Sequence, residues 1–275
     1  MKNTLQFYLL LITSSLVMSC SSDSSSSDTV VLEKIITYYP QFANFDTKGV
    51  YYYNESNQSI LDSIFDENEN FTSKREFIYA SNSKTINTYN NLDVLTKRVI
   101  DEYDSSGRIT VSTAYNGLGV ITFKYAYEYD DVNHIIAENK IEGSSITPVF
   151  LFKTNSLGLV YYQQDILNSN TYKELIFDGN TPTAMFFNGN ASLLTNFTYY
   201  PNPKPINLRI SNVEKNNIVL KLGLEHMGYN ADSFLDTFAD TYHQAMTFDV
   251  NDYPLTGHYT AIPSPSLWED FYYYQ

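Results

Sequence analysis

The chain is poor in cysteine, tryptophan and basic residues. Its 275 residues include one Cys, one Trp, and 17 Lys plus Arg against 31 Asp plus Glu. A single cysteine, Cys20, leaves no disulfide framework and no thiolate metal site within one chain. The net charge of −14 sets the surface against phosphate backbones, so nucleic acid is not expected as a partner. The apolar stretch from Leu5 to Met18, about 14 residues, is too short to cross a hydrocarbon core of about 30 Å. Catalytic signatures are missing too. There is no Gly-x-Ser-x-Gly elbow, no phosphate loop ending in Gly-Lys-Ser/Thr, and no Gly-x-Gly-x-x-Gly. None of His134, His226, His243 and His258 has another histidine within a helical turn, so a zinc site would need ligands from distant segments. Asp66 to Asn70 imitates half of a calcium loop, but Phe71 and Phe77 stand where Gly and a bidentate Glu are wanted. No metal, no cofactor and no enzymatic activity are expected.

The N-terminus carries an address. Residues 1–19 have a basic Lys2, an apolar core and small Ser19 at the end, the pattern of an export signal. The segment Leu16-Val17-Met18-Ser19-Cys20 resembles the lipobox of bacterial lipoproteins. That resemblance implies cleavage before Cys20 and lipid attachment to it, with the bilayer as partner through the Cys20 anchor. Residues 20–31 then form a Ser/Asp-rich tether with too little apolar content to fold. No Asp follows Cys20 directly, the position that retains many lipoproteins at the inner membrane. The expected location is therefore the outer membrane, with the periplasmic and cell-surface faces both open.

What the rest of the chain has in excess is Tyr and Phe, 25 and 17 residues, which favour pleated, half-buried surfaces. In "ITFKYAYEYD", Phe123, Tyr125, Tyr127 and Tyr129 alternate with Thr122, Lys124, Ala126 and Glu128, the period of a strand with one aromatic face. Turn chemistry follows at Asp130 to Asn133, and a β-branched run restarts at Ile135. The same order occurs earlier, with Asp104-Ser105-Ser106-Gly107 as the turn. Weaker copies occur near Asp66, Asn155, Asp178 and Asp249. Repetition at about 24 residues reads as long antiparallel hairpins in series. Residues 32–275 are expected to form one all-β domain, an antiparallel meander in a strongly curved sheet, either an open barrel or a half-barrel. The one segment with helical spacing is 230–244, where Phe234, Leu235 and Phe238 suggest a short helix or lid. Pro201-Asn202-Pro203-Lys204-Pro205 reads as a device that blunts a sheet edge.

Tyr103-Asp104-Ser105-Ser106-Gly107-Arg108-Ile109 resembles the YD repeat of Rhs-type proteins. The mature chain as a whole resembles a family of Gram-negative lipoproteins with a porin-like, curved antiparallel sheet. The likeness rests on the Tyr-Asp tips, "TYYPNPKPINLRI" and "FDVNDYPLTGHYT". It implies a fold and no mechanism.

Aromatic faces are the best functional handle. Tyr125, Tyr127, Tyr129 and Trp268 are candidate ligand contacts, able to stack on sugar rings or on a protein partner. Their structural alternative is cross-strand packing. Three functions remain open: a binding or adhesion lipoprotein for glycan or protein, a structural or chaperone-like envelope component with a membrane-protein partner, and a glycoside-active enzyme using paired carboxylates. A water-soluble domain tethered to the membrane fits better than a membrane-spanning barrel, because charged residues fall within the strand-like segments.

Overall fold

A computed structural model describes residues 30–39, 48–229, 231–239, 242–261 and 264–275. The signal-like segment, Cys20 and most of the Ser/Asp stretch lie outside them. Val31–Gln275 is one compact unit.

Eighteen strands follow in series among the described residues. The first six are β1 (Leu32–Tyr38), β2 (Lys48–Tyr53), β3 (Ser59–Phe65), β4 (Phe71–Ala80), β5 (Ser83–Asn90) and β6 (Leu95–Tyr103). The next six are β7 (Ile109–Asn116), β8 (Ile121–Asp130), β9 (Ile135–Glu142), β10 (Ser145–Thr154), β11 (Val160–Asp165) and β12 (Tyr172–Asp178). The last six are β13 (Thr181–Phe187), β14 (Asn190–Pro203), β15 (Ser233–Phe238), β16 (Tyr242–Phe248), β17 (Pro254–Ala261) and β18 (Ser264–Tyr274). Each pairs antiparallel with its neighbour in sequence, as β8 does with β7 and β9. β1 pairs with both β2 and β18, which closes the sheet into a barrel. The curved antiparallel meander expected from sequence is present, and it closes fully where an open barrel or a half-barrel was expected, which leaves no sheet edge to blunt among the described strands. The Pro-rich stretch instead ends β14 and leads out of the barrel wall.

The repetition in the sequence comes from the hairpin tips. Seven of them share one five-residue geometry. An Asp or Asn at the first position accepts the N–H groups of the third and fifth residues on its side chain, and the fourth residue takes a positive φ. Asp104 accepts from Ser106 and Arg108, with Gly107 at φ 78°. Asn116 does the same for Leu118 and Val120, and Asn155 for Leu157 and Leu159. Asn54, Asp66, Asn90 and Asp249 complete the set, with Asn57, Glu69, Asp93 and Asp252 in the left-handed position. Glycine is the low-cost residue there, and Asn and Asp are the next most tolerant. The copy at Asp130 is one residue longer. Its left-handed residue is His134, at φ 58°, while Asn133 bonds back to the Asp130 carboxylate.

Between β14 and β15 the chain forms a helical insert, α1 (Asn212–Leu222) and α2 (His226–Tyr229). Ser211 caps α1 by accepting from the Glu214 N–H, and Gly223 at φ 99° ends it. Helical structure therefore sits some twenty residues before the segment expected to carry it. Residues 233–238 and 242–248 are strands β15 and β16. The cause is a bulge: Tyr199 pairs with Leu235 but the next partner of Thr198 is Thr237. The extra residue brings Leu235 and Phe238, three apart, onto one face, which imitates helical spacing in the sequence.

The insert packs inside one half of the barrel. Val219, Leu220, Leu224 and Met227 join Phe152, Leu159, Val160, Leu175, Met185, Phe197 and Leu235 in one buried cluster. Two asparagines of α1 lock it to the hairpin tips. The Asn217 side chain accepts from the Ile109 N–H at 2.9 Å and donates to the Gly107 carbonyl at 2.9 Å. Asn216 does the same for Val160 and Gly158, at 2.9 and 2.6 Å. Each amide completes a hydrogen-bond pattern that the bulge of the tip leaves open.

Candidate functional site

The other half of the barrel is not filled. Between α1 and the wall formed by β4 to β12 lies a cavity of about 1600 Å³. It is reached by tip residues Ser81, Asn82, Ser105 and Ser106 at one end. At the other it is lined by Thr88, Lys97 and Phe123, which stand two residues from the opposite ends of their strands.

Strand alternation decides what faces this lumen. On β8, Phe123, Tyr125 and Tyr127 line it, so Thr122, Lys124, Ala126 and Glu128 point outward. On β6, Lys97, Val99 and Tyr103 face in, leaving Arg98 and Glu102 outside. On β4, Arg75 and Tyr79 face in, and Lys74 and Glu76 pair with each other outside at 3.1 Å. This outer wall is charged, whereas a lipid-facing strand carries an apolar band, and each Lys or Arg at a bilayer midplane would cost about 2–4 kcal/mol. The described outer face of β4 to β8 is polar, with Lys74, Glu76, Arg98, Glu102, Lys124 and Glu128 on it.

The lumen is of mixed charge. Five basic side chains line it, Arg75, Lys84, Lys97, Lys173 and Lys221, against Asp104, Glu138 and Glu214. Three of the bases are neutralised. Arg75 pairs with the buried Asp62 at 2.5 Å, and Lys173 with Glu225 at 2.8 Å. Lys221 pairs with Asp101, which is fully buried and also accepts from Ser112 at 2.7 Å. Lys84 and Lys97 stand instead over aromatic rings: Lys84 lies 5.3 Å from the Phe77 centroid and 5.4 Å from that of Tyr79, and Lys97 lies 5.7 Å from Phe123. Burial, with the positive charge of Lys221 next in weight, holds the Lys84 ammonium below its usual range.

Glu138 lies opposite Tyr127 across the β8–β9 ladder and is 5% exposed. Burial pushes its carboxyl up to about 7, opposed by a hydrogen bond from Tyr127. Beside it on the wall, Gln163 has a buried Oε1 with no hydrogen-bond partner among the described residues. A buried orphan acceptor costs about 1–3 kcal/mol.

The four aromatics singled out from sequence are not brought together. Tyr125 and Tyr127 line the lumen. Tyr129 is occupied by structure: its hydroxyl donates to the Ile109 carbonyl at 2.7 Å and Arg108 covers its ring at 4.3 Å. Trp268 stacks on Tyr259 at 4.5 Å beside a separate cavity of about 10 Å³, room for roughly one water. Cys20 lies outside the described residues. Among the described residues, no group of three or more His, Cys, Asp or Glu could hold a metal ion.

Lys84, Lys97, Glu138 and Gln163 carry the lumen's polarity, and reading from sequence missed them. Their signal is a phase. Lys97 and Asp101 share strand parity with Val99 and Tyr103, and Lys84 shares it with Ile86. A charge in step with the apolar face of a strand must be inside, and an inside charge needs a partner or a ligand.

No protein-family model matches the chain, and no curated protein does. Solved structures do match. A porin-like protein from Bacteroides uniformis is similar at 10% identity, covering 89% of this chain and 98% of that one, with a TM-score of 0.43. A chain of the Photorhabdus luminescens Tc holotoxin pore is similar at 11% identity, with 77% of this chain and 12% of that one covered and a TM-score of 0.29. A TcdB2–TccC3 structure lacking its hypervariable C-terminal region gives 9% identity, coverage of 80% and 12%, and a TM-score of 0.20. The barrel stands on its own strand pairing, and these likenesses add nothing to the lumen.

Proposed function

We propose that the chain is an envelope lipoprotein, anchored through Cys20, that binds an oligosaccharide in the lumen of its barrel without chemical turnover. The observation that carries this reading is the half-filled interior: about 1600 Å³ lined by Tyr and Phe rings, with the aromatic face of β8 turned inward. Ring faces stack on the apolar faces of sugars, and the polar groups around them fix orientation. The charged outer wall supports a water-exposed domain. β1 begins at the end bearing the helical insert, where the Leu32 N–H donates to Asn57 at 3.1 Å and Asn57 donates to the Asn207 carbonyl at 2.9 Å.

Binding without turnover fits the acids present. Glycoside cleavage needs two carboxyls about 5–10 Å apart and free to act. Asp62, Asp101 and Asp104 are each held by a cation, Arg75, Lys221 and Arg108. That leaves Glu138 and Glu214 as the lumenal carboxyls without an ion pair among the described residues, and product release from the sugar as the check on turnover. Titrating the protein with oligosaccharides, followed by tyrosine fluorescence and calorimetry, tests the reading. Tyr125→Ala should weaken binding about tenfold or more while the outer-face Tyr115→Ala leaves it unchanged. Equal effects, or product release from the sugar, would overturn it.

A second reading, docking on an envelope partner, has one observation in its favour. Leu92, Val94, Leu118 and Val120 are exposed on two neighbouring hairpin tips at the end away from the insert. Crosslinking in intact cells checks it: Leu92→Ser with Leu118→Ser should lose a crosslinked partner and keep sugar binding.

A further inference from the structure

Resting on the lumen reading, we infer that the ligand is an acidic oligosaccharide, and that Lys84 and Lys97 receive its negative groups. Two observations beyond the cavity itself point there. The first is the unequal treatment of the five lumenal cations. Arg75, Lys173 and Lys221 each have a carboxylate within the protein. Lys84 and Lys97 make no ion pair among the described residues and rest on aromatic rings, which position an ammonium without neutralising it. Asp101, Glu214 and Asp62 act on Lys84 through space, but no described carboxylate is in ion-pair contact with either lysine, so the contact position beside each ammonium is left to a ligand.

The second observation is the aromatic company of those lysines on the same cavity. A sugar ring stacks on such faces where a small inorganic anion does not. Tyr125 and Phe123 provide ring faces nearby on β8. Together the lumen offers stacking surface and two lysines without an ion pair among the described residues, the needs of a uronate-type saccharide.

Register sets the scale. Lys97 pairs with Thr88, and Lys84 lies four residues further along β5. At strand rise the two stems are separated by about 13 Å. That span exceeds one sugar ring, so the acids belong to different rings of one chain. A monosaccharide would meet one lysine only.

The test uses the full chain and a length series of oligogalacturonates, each beside its carboxyl-reduced counterpart, followed by calorimetry. The expected result is tighter binding of the acidic series, a rise in affinity once the chain reaches both lysines, and weakening by added salt. Lys97→Gln and Lys84→Gln should each cost about tenfold on the acidic oligomer and leave the reduced one unchanged. Lys84→Met, which retains the apolar stem, shows by its matching loss that charge and not packing is read. If the reduced oligomers bind as tightly as the acidic ones, or the lysine variants bind both alike, this inference fails while the lumen reading stands. If neither series binds, both fail. Tighter binding of a short DNA oligonucleotide than of oligogalacturonate would replace the saccharide with a different polyanion and also overturn the inference.

Discussion

The two halves of the barrel solve the same problem differently. An eighteen-stranded ring encloses more space than its own side chains fill. Around its helical insert the chain fills that space, and Phe152, Leu159, Val160 and Val219 are fully buried. Beyond the insert it leaves the space open and lines it, on side chains from β4 to β12, with Tyr and Phe rings, two lysines on rings, and buried acids tied to cations. The first half is a core, and the second is a site. The difference teaches that the insert does two jobs: it completes the core, and its exposed flank, with Val213, Asn217 and Lys221, forms one wall of the lumen.

Truncation should separate the halves most sharply. Phe152→Ala, in the filled half, should cost about 3–5 kcal/mol in urea unfolding, because a fully buried ring leaves a cavity. Phe123→Ala, on the lumen, should cost less than about 1 kcal/mol. Equal losses would mean that the lumen side is packed as tightly as the core.

The seam between the halves comes next. Asn217→Ala leaves the Ile109 N–H and the Gly107 carbonyl without their partner, and should cost about 1–3 kcal/mol. Asn216→Ala should cost a similar amount through Val160 and Gly158. Unfolding midpoints of the single and double variants check whether both anchors are needed to hold the insert.

Glu138 gives a pH signature to the open half. Its folded-state carboxyl titrates at about 7, above the ordinary value of 4.5, because burial disfavours the charge. A raised carboxyl binds its proton more tightly in the folded than in the unfolded state. The resulting stabilisation is full below about pH 4.5 and is lost as pH rises through 7. Glu138→Gln should remove that slope and leave the variant more stable than the parent at pH 8 by roughly 2 kcal/mol. Thermal melts between pH 5 and 8 read it directly. The smallest effect belongs to the outer wall, where Lys124→Ala should change stability by no more than about 0.5 kcal/mol.

The strands and the hairpin tips were legible in the residues, and the division into a filled and an open part was not. Alternation in "TFKYAYEY" gave the strand and its two faces, and the Asp or Asn opening each turn gave the hairpin series. Closure was not legible, since it depends on β1 meeting β18 across more than two hundred residues. The helix was half legible. Ser211 and Glu214 make a capping box and Gly223 a stop, but the residues between them lack a clean apolar stripe. Asn216 and Asn217 read as loop chemistry until the tips they grip are known. The lumen's lysines were hidden for a simpler reason: a lone Lys in a strand reads as surface unless its parity is followed.

The most direct test of the central claim is cysteine accessibility in a Cys20→Ser background. Val99→Cys places a thiol on the lumen wall and Leu175→Cys places one in the filled half. With a water-soluble maleimide under native conditions, the account predicts rapid modification at position 99 and almost none at 175 until the chain unfolds. If both positions are equally protected, the lumen is not open to water and the binding reading falls with it.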